Sequence, residues 1–155
     1  MTKKIAVFPG TFDPVTKGHV DIVSRGANLF DEVIVAVGVN TNKKTLFDLE
    51  TRTEWLKKAF ETLPNVRIDH YEGLTVEYCH KIGAGYLLRG LRNGTDFDYE
   101  SHIAQLNKNL KNEVETVFIL SSPELSYISS TLVRDLIIHK GDFRKYLPEQ
   151  VDLKP

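Results

Sequence analysis

Three short stretches of the chain gather glycine, hydroxyl and cationic residues in patterns suited to phosphate chemistry. The first is Pro9-Gly10-Thr11-Phe12-Asp13-Pro14-Val15-Thr16-Lys17-Gly18-His19. Gly10 lets backbone approach a phosphate closely, Thr11 offers a hydroxyl and an amide N–H, and Gly18-His19 opens a helix whose positive end attracts anions. Taken alone, a Gly-His pair reads first as a turn with a helix-capping histidine. The second stretch is Leu88-Arg89-Gly90-Leu91-Arg92, followed by Asp96-Phe97-Asp98-Tyr99-Glu100. Two cations flanking a glycine can grip different phosphates, and the planar guanidinium fork matches paired phosphate oxygens. The competing reading is a solvated basic turn neutralised by Asp96 and Asp98. The third stretch, Tyr127-Ile128-Ser129-Ser130-Thr131, sets three hydroxyls at a helix start, either as a cap or as donors to a triphosphate. Lys43 and Lys44 are point charges open to a transferring phosphoryl group or to plain solvation.

The elements that must position these residues alternate regularly. Ile5-Ala6-Val7-Phe8, ended by Pro9-Gly10, and Glu32 to Gly38 read as buried strands, with Val20, Ile22, Val23, Ala27 and Leu29-Phe30 forming a helical stripe between them. Strand, helix and strand in this length make a βαβ unit with a right-handed parallel crossover. Asp48 then caps a helix carrying Trp55, Leu56, Ala59 and Phe60, and Val66 to His70 alternates as a strand. A helix from Thr75 to about Ile82 ends at Gly83, Tyr86-Leu87-Leu88 forms a strand ending at Arg89, and an amphipathic helix runs from about Phe97 to Leu110. The strand Thr116 to Leu120 and a helix from about Ser130 to Ile138 complete the series. Five strands alternating with five helices predict an α/β fold: a doubly wound, five-stranded parallel sheet of Rossmann-like type, in one domain spanning residues 1–155. Such sheets bind ligands beyond the carboxyl ends of their strands. That rule nominates residues 9–17, 39–46, 72–74, 89–96 and 121–129.

Composition narrows the function classes. Twenty basic and 21 acidic residues give a formal charge of -1, which does not resemble the footprint of a nucleic-acid binder, so an anionic ligand must meet a local cluster. No stretch has membrane-spanning length and the N-terminal residues are too short for a signal region, which predicts a cytoplasmic protein. The single Cys79, beside Val76, Tyr78 and Ile82, reads as a structural helical residue. His70, His80, His102 and His139 have no partner at metal-ligand spacing and read as structural or surface residues.

The eleven residues from Pro9 to His19 resemble the nucleotide-binding motif of the HxGH nucleotidyltransferase superfamily, with Thr16 where many members carry the first histidine. Arg89-Gly90-Leu91-Arg92 followed by Asp96-Phe97-x-Tyr99-Glu100 is similar to the signature of the phosphopantetheine adenylyltransferases, and Ile128-Ser129-Ser130-Thr131-Leu132-Val133-Arg134 resembles a further motif of that family. Asn93-Gly94-Thr95 departs from the small apolar residues common there. The resemblance implies adenylyl transfer from ATP to 4′-phosphopantetheine, giving dephospho-coenzyme A and pyrophosphate in coenzyme A biosynthesis. It further implies Mg²⁺ carried by the ATP phosphates, with no protein metal ligand, and a homohexamer. His19 would stabilise the developing charge as a catalytic residue with Lys43 and Arg92. ATP would meet Thr11, Phe12, His19, Gly90, Leu91, Arg92, Glu100, Leu125, Ser126, Tyr127, Ile128, Ser129, Ser130 and Thr131. The acceptor would meet Thr11, Lys43, Leu74, Thr75 and Arg89. A transferase acting on nicotinamide mononucleotide or glycerol 3-phosphate, and a nucleotide-binding module without catalysis, are the competing readings.

Overall fold

The computed structural model describes residues 2–153. Of the span expected to form the domain, Met1, Lys154 and Pro155 lie outside the described residues. The chain runs β1 (Ile5–Gly10), α1 (Lys17–Ala27), β2 (Glu32–Val39), α2 (Leu49–Ala59), β3 (Val66–Glu72), α3 (Thr75–Ile82), β4 (Tyr86–Leu91), α4 (Gly94–Leu110), β5 (Glu115–Leu120) and α5 (Ser130–Ile138). All strand pairings are parallel and the sheet order is β3-β2-β1-β4-β5. From β1 the chain winds outward through β2 and β3, then returns to place β4 on the other side of β1. The order therefore reverses between β1 and β4, where a doubly wound sheet opens its binding crevice.

Alternation along the strands sorts the core into two layers. Ala6, Phe8, Val33, Val35, Val37 and Leu88 point to the face covered by α1, α2 and α5, where Val23, Leu56 and Val133 are fully buried. Val7, Ile34, Ala36 and Leu87 point to the other face, against Val76, Tyr78 and Cys79 of α3. Burial pushes the Cys79 thiol up to about 12, in keeping with a structural role.

Several boundaries differ from the sequence expectation, each for a local reason. β1 continues through Pro9 and Gly10, paired with Ala36 and Val37 of β2. Proline is tolerated there because the ladder between β1 and β4 stops at Val7 and Leu87, which leaves Pro9 locally at an edge. β4 runs on through Gly90 and Leu91, paired with β5, so Arg89 lies inside a strand. α4 begins three residues before Phe97 because the Asn93 side chain accepts from the Asp96 amide, a cap that apolar spacing does not reveal.

The seat of α1 on β4 matters most for the site. Ile22 fills the place where a Cβ on Gly90 would sit, 2.9 Å from Ile22 Cγ1, and Leu88 does the same at Gly26, at 2.5 Å. Large side chains on each element thus face a glycine on the other, and this interlock sets how far α1 stands from β4. Gly90→Ala should overpack the seam and cost about 1–3 kcal/mol, read as a lowered denaturation midpoint. Adding Ile22→Ala should recover part of that loss relative to the sum of the single changes, as expected for residues in direct contact; strict additivity would show that the seam does not set the spacing.

Candidate active site

Beyond Val7 and Leu87, β1 and β4 are no longer hydrogen-bonded, and the Arg89 guanidinium takes up the gap. It donates from Nη1 to the Pro9 carbonyl (2.8 Å) and from Nε and Nη2 to the Glu100 carboxylate (3.0 and 2.6 Å). Three of its five N–H groups are engaged in this way, and two are left for a ligand. Glu100, on the inner face of α4, is 9% exposed and so fixes Arg89 in place.

Around this bridge lie three adjoining cavities. The first, of about 260 Å³, is bounded by His19 and Gly18 at the start of α1, Arg89 and Gly90 of β4, Arg92, and Ser129 and Ser130 at the start of α5. Two helix N-termini and two guanidinium groups make it a site for polyanions. The second, of about 280 Å³, shares Pro9, Gly10 and Arg89 with the first and extends along α4 past Ile103, Ala104 and Asn107, with Tyr71 and Thr75 opposite. The third, of about 260 Å³, meets the second at Thr11, Gly38 and Tyr71 and contains Lys43 and Arg52.

His19 occupies the floor of the first cavity in a defined protonation state. The Thr16 amide, at the N-cap of α1, donates to His19 Nδ1 (3.0 Å), with Thr16 Oγ1 3.2 Å from the same atom. This is the returning half of a capping box, with histidine at the third helical position. Nδ1 is therefore an acceptor, and the ring proton resides on Nε2. Burial, followed by the positive charges of Arg89 and Arg92, lowers the imidazole pKa to about 4. At neutral pH His19 is an uncharged N–H donor beside two cations.

Other residues of the sequence expectation fall in less uniform positions. Phe12 has φ 51° and its ring is buried against Phe8 and edge-on to His19, centroids 4.9 Å apart, and it borders none of the three cavities. That same ring lies over Gly10, which explains the missing side chain there. Arg92 is exposed and chelates both oxygens of Asp96, at 2.9 and 3.2 Å, holding that carboxyl below its usual range chiefly through the side-chain hydrogen bond. The neutralising turn read as an alternative thus exists, with Asp96 as partner, while Arg92 still borders the first cavity. Glu100, expected at the nucleotide, instead lines the second cavity and holds Arg89.

Of the three hydroxyls, Ser129 caps α5 through the Leu132 amide, Ser130 donates to the Pro14 carbonyl, and Thr131 accepts from Arg134. Leu125 and Ile128 border the first cavity; Leu91, Ser126, Tyr127 and Thr131 do not. Lys43 Nζ reaches Thr11 Oγ1 at 3.2 Å, and Leu74 stands exposed just before Thr75, whose hydroxyl is 2.7 Å from that of Tyr71. Tyr71, Ile103, Ala104 and Asn107 were not anticipated. The last three fall with Glu100 at i, i+3, i+4 and i+7 on α4, a helical stripe whose mixed polarity was the available signal.

Comparison with known proteins gives the chain's family. Residues 7–136 match the cytidylyltransferase-like family. The chain is 48% identical over 149 residues to the phosphopantetheine adenylyltransferase of Flavobacterium psychrophilum, covering 96% of this chain and 98% of that one. It is 45% identical to the phosphopantetheine adenylyltransferase of Caldanaerobacter subterraneus, covering 96% and 92%. Among solved structures, a putative nicotinate-nucleotide adenylyltransferase from Vibrio parahaemolyticus superposes with a TM-score of 0.72 at 20% identity, covering 97% of this chain and 96% of that one, which shows the shared fold. Sustained along nearly the whole chain, identity of this order decides the family: the chain belongs to the phosphopantetheine adenylyltransferases, nucleotidyltransferases of the cytidylyltransferase-like family.

Proposed function

We propose that the chain transfers the adenylyl group of ATP to 4′-phosphopantetheine, giving dephospho-coenzyme A and pyrophosphate, with the nucleotide in the first cavity and the acceptor arm in the second. The observation that carries this division is Arg89, which borders both cavities while Arg92 borders only the first. The second cavity mixes the apolar walls of Leu87, Ile103 and Ala104 with Asn107, Thr75 and Tyr71, a suitable lining for an amide-bearing aliphatic arm.

An oxygen of the acceptor phosphate attacks the α-phosphorus of ATP, the bond from that phosphorus to the bridging oxygen breaks, and pyrophosphate leaves with the electron pair. The attacking phosphate is already anionic, so no general base is required, and catalysis rests on alignment and on donors aimed at developing charge. Lys43, Thr11 and the two free N–H groups of Arg89 hold the acceptor phosphate. His19 Nε2–H meets the α-phosphate oxygens. Arg92 and the first amides of α5 receive the leaving pyrophosphate. Magnesium belongs to this scheme as part of the substrate MgATP. The lining of the first cavity offers hydroxyls, amides, an imidazole and guanidiniums but no carboxylate, so these residues do not build a protein site for the cation and no step is assigned to it. A homohexamer is the assembly the family resemblance implies, and the cytoplasm is the setting expected from the sequence. No helix among the described residues is long and apolar enough to cross a membrane.

Pyrophosphate release from ATP and 4′-phosphopantetheine tests the reaction directly. Unphosphorylated pantetheine should be inert, because it lacks the attacking group, and comparable turnover of nicotinamide mononucleotide would replace the acceptor assignment.

His19→Ala should reduce kcat by roughly 10²–10³-fold, as for removal of one oxyanion donor, with little change in ATP affinity. In the free enzyme the His19 ring should stay neutral from pH 8 down to 5.5 and titrate near 4 by NMR. Because the folded form binds this proton less readily than the unfolded form, stability from this group is complete above about pH 6.5 and falls as the pH drops towards 4. A midpoint near 6.5 would instead describe a solvated ring.

Arg89→Lys should weaken phosphopantetheine binding selectively and Arg92→Lys that of ATP, since lysine keeps charge but not the planar fork. Calorimetric titration of each variant with each ligand separates the two; equal losses throughout would make them one undivided basic patch.

A further inference from the structure

Among the described residues, the buried polar and charged side chains are Asp13, Thr16, Arg52 and Glu100. Thr16 orients His19 and Glu100 holds Arg89. Asp13 and Arg52 remain, 3% and 5% exposed, and the scheme above gives them no task. Burying an ion is costly unless it is hydrogen-bonded, so what these two bind indicates why they are there.

Both bind the same junction. The Asp13 carboxylate accepts the Leu46 amide on Oδ2 (2.8 Å) and the Phe47 amide on Oδ1 (2.9 Å). Arg52, on the first turn of α2, donates from Nη1 to the Thr11 carbonyl (2.8 Å) and from Nε to the Phe47 carbonyl (3.0 Å), with the Asp48 carbonyl at 3.3 Å. One ion comes from the phosphate loop and grips the segment after β2; the other comes from beyond that segment and grips the phosphate loop. Phe47 is held at both its amide and its carbonyl, and its ring packs edge-on against Trp55, centroids 4.7 Å apart. Arg134 of α5 secures the Asp13 carbonyl at 2.9 Å. The segment fixed in this way carries Lys43, which is itself exposed and whose ammonium meets Thr11 Oγ1 at 3.2 Å.

We infer that Asp13 and Arg52 form a reciprocal clamp whose task is to register Lys43 against Thr11, so that both meet the acceptor phosphate together. They are positioning residues, acting through Lys43 without touching substrate, and the inference rests on the adenylyl-transfer reading of the site. Arg52 is matched to this task because its rigid fork reaches two carbonyls of separate segments at once; a lysine ammonium at this position reaches one. A displacement of Lys43 by about 1 Å is enough to cost up to about 10²-fold in rate.

The test is a double-mutant cycle between Arg52→Lys and Lys43→Ala, followed by pyrophosphate release from ATP and 4′-phosphopantetheine. Arg52→Lys alone should lower kcat/KM by about 10-fold or more, with the ATP KM nearly unchanged. In the Lys43→Ala background the same change should cost less than about 2-fold, because the lysine it positions is gone; such non-additivity is the mark of residues acting as a unit. Asp13→Asn, which keeps one acceptor oxygen and loses the other, should behave in the same way and serves if Arg52→Lys does not fold. Independent, multiplicative losses for both pairs would overturn the clamp while leaving the reaction intact. A wild-type chain that releases no pyrophosphate from ATP and 4′-phosphopantetheine would overturn the reaction and the clamp's part in it together.

Discussion

Much of this molecule follows from one break in a ladder. β1 and β4 pair at Ala6 with Tyr86 and Val7 with Leu87, and their hydrogen bonding ends there, whereas β1 stays paired with β2 to Gly10 and β4 with β5 to Leu91. A parallel sheet whose strand order reverses at that point must part, because the connecting helices leave to opposite faces. The unpaired backbone exposed by the break needs partners, and one of them is supplied by a side chain: Arg89 donates to the Pro9 carbonyl. The residue that closes the structural gap is thereby held at the junction of the first and second cavities, with part of its guanidinium still free.

Electrostatics at the site are local and organised by helix ends. A chain with formal charge -1 has no general attraction for nucleotides, so in the proposed reaction binding would fall to Arg89, Arg92, Lys43 and the amides at the starts of α1 and α5. The same positive surroundings add to the effect of burial in lowering the His19 pKa. Burial and the two arginines hold it neutral, and the Thr16 amide fixes which nitrogen bears the proton. In the proposed reaction a neutral donor in a preoriented tautomer would need no proton uptake, and its contribution would grow as negative charge forms on the phosphate.

The buried polar side chains reinforce that logic. No buried side-chain nitrogen or oxygen among the described residues lacks a partner. Three of the four buried polar or charged residues link separate segments of the site, Glu100 to Arg89, Asp13 to residues 46 and 47 and Arg52 to Thr11, and the fourth, Thr16, orients His19 within one capping box. The apolar core on either side of the sheet gives the molecule its bulk stability. The ionic groups are confined to the place where separate loops must hold a common geometry, which is where directional, hard-to-shift interactions are worth their desolvation cost.

The order of strands and helices, the doubly wound sheet and the segments at its carboxyl edge were legible in the residues themselves, because burial on two faces leaves unbroken runs such as Val33 to Val37 and helix packing leaves stripes such as Val20, Ile22 and Val23. His19, Arg89 and Arg92 were legible as candidates as well, since their motifs gather glycines with cationic or imidazole side chains near the carboxyl edge of the sheet. The tertiary structure alone decided what each contacts. Whether Arg89 is free or held by Glu100, why Gly90 must lack a side chain, where α4 begins, and that Asp13 and Arg52 tie together segments more than thirty residues apart are questions of approach between elements. Local spacing records which face of an element is apolar. It carries no record of which distant backbone carbonyl a buried guanidinium will meet, because that partner is selected only when the sheet has closed.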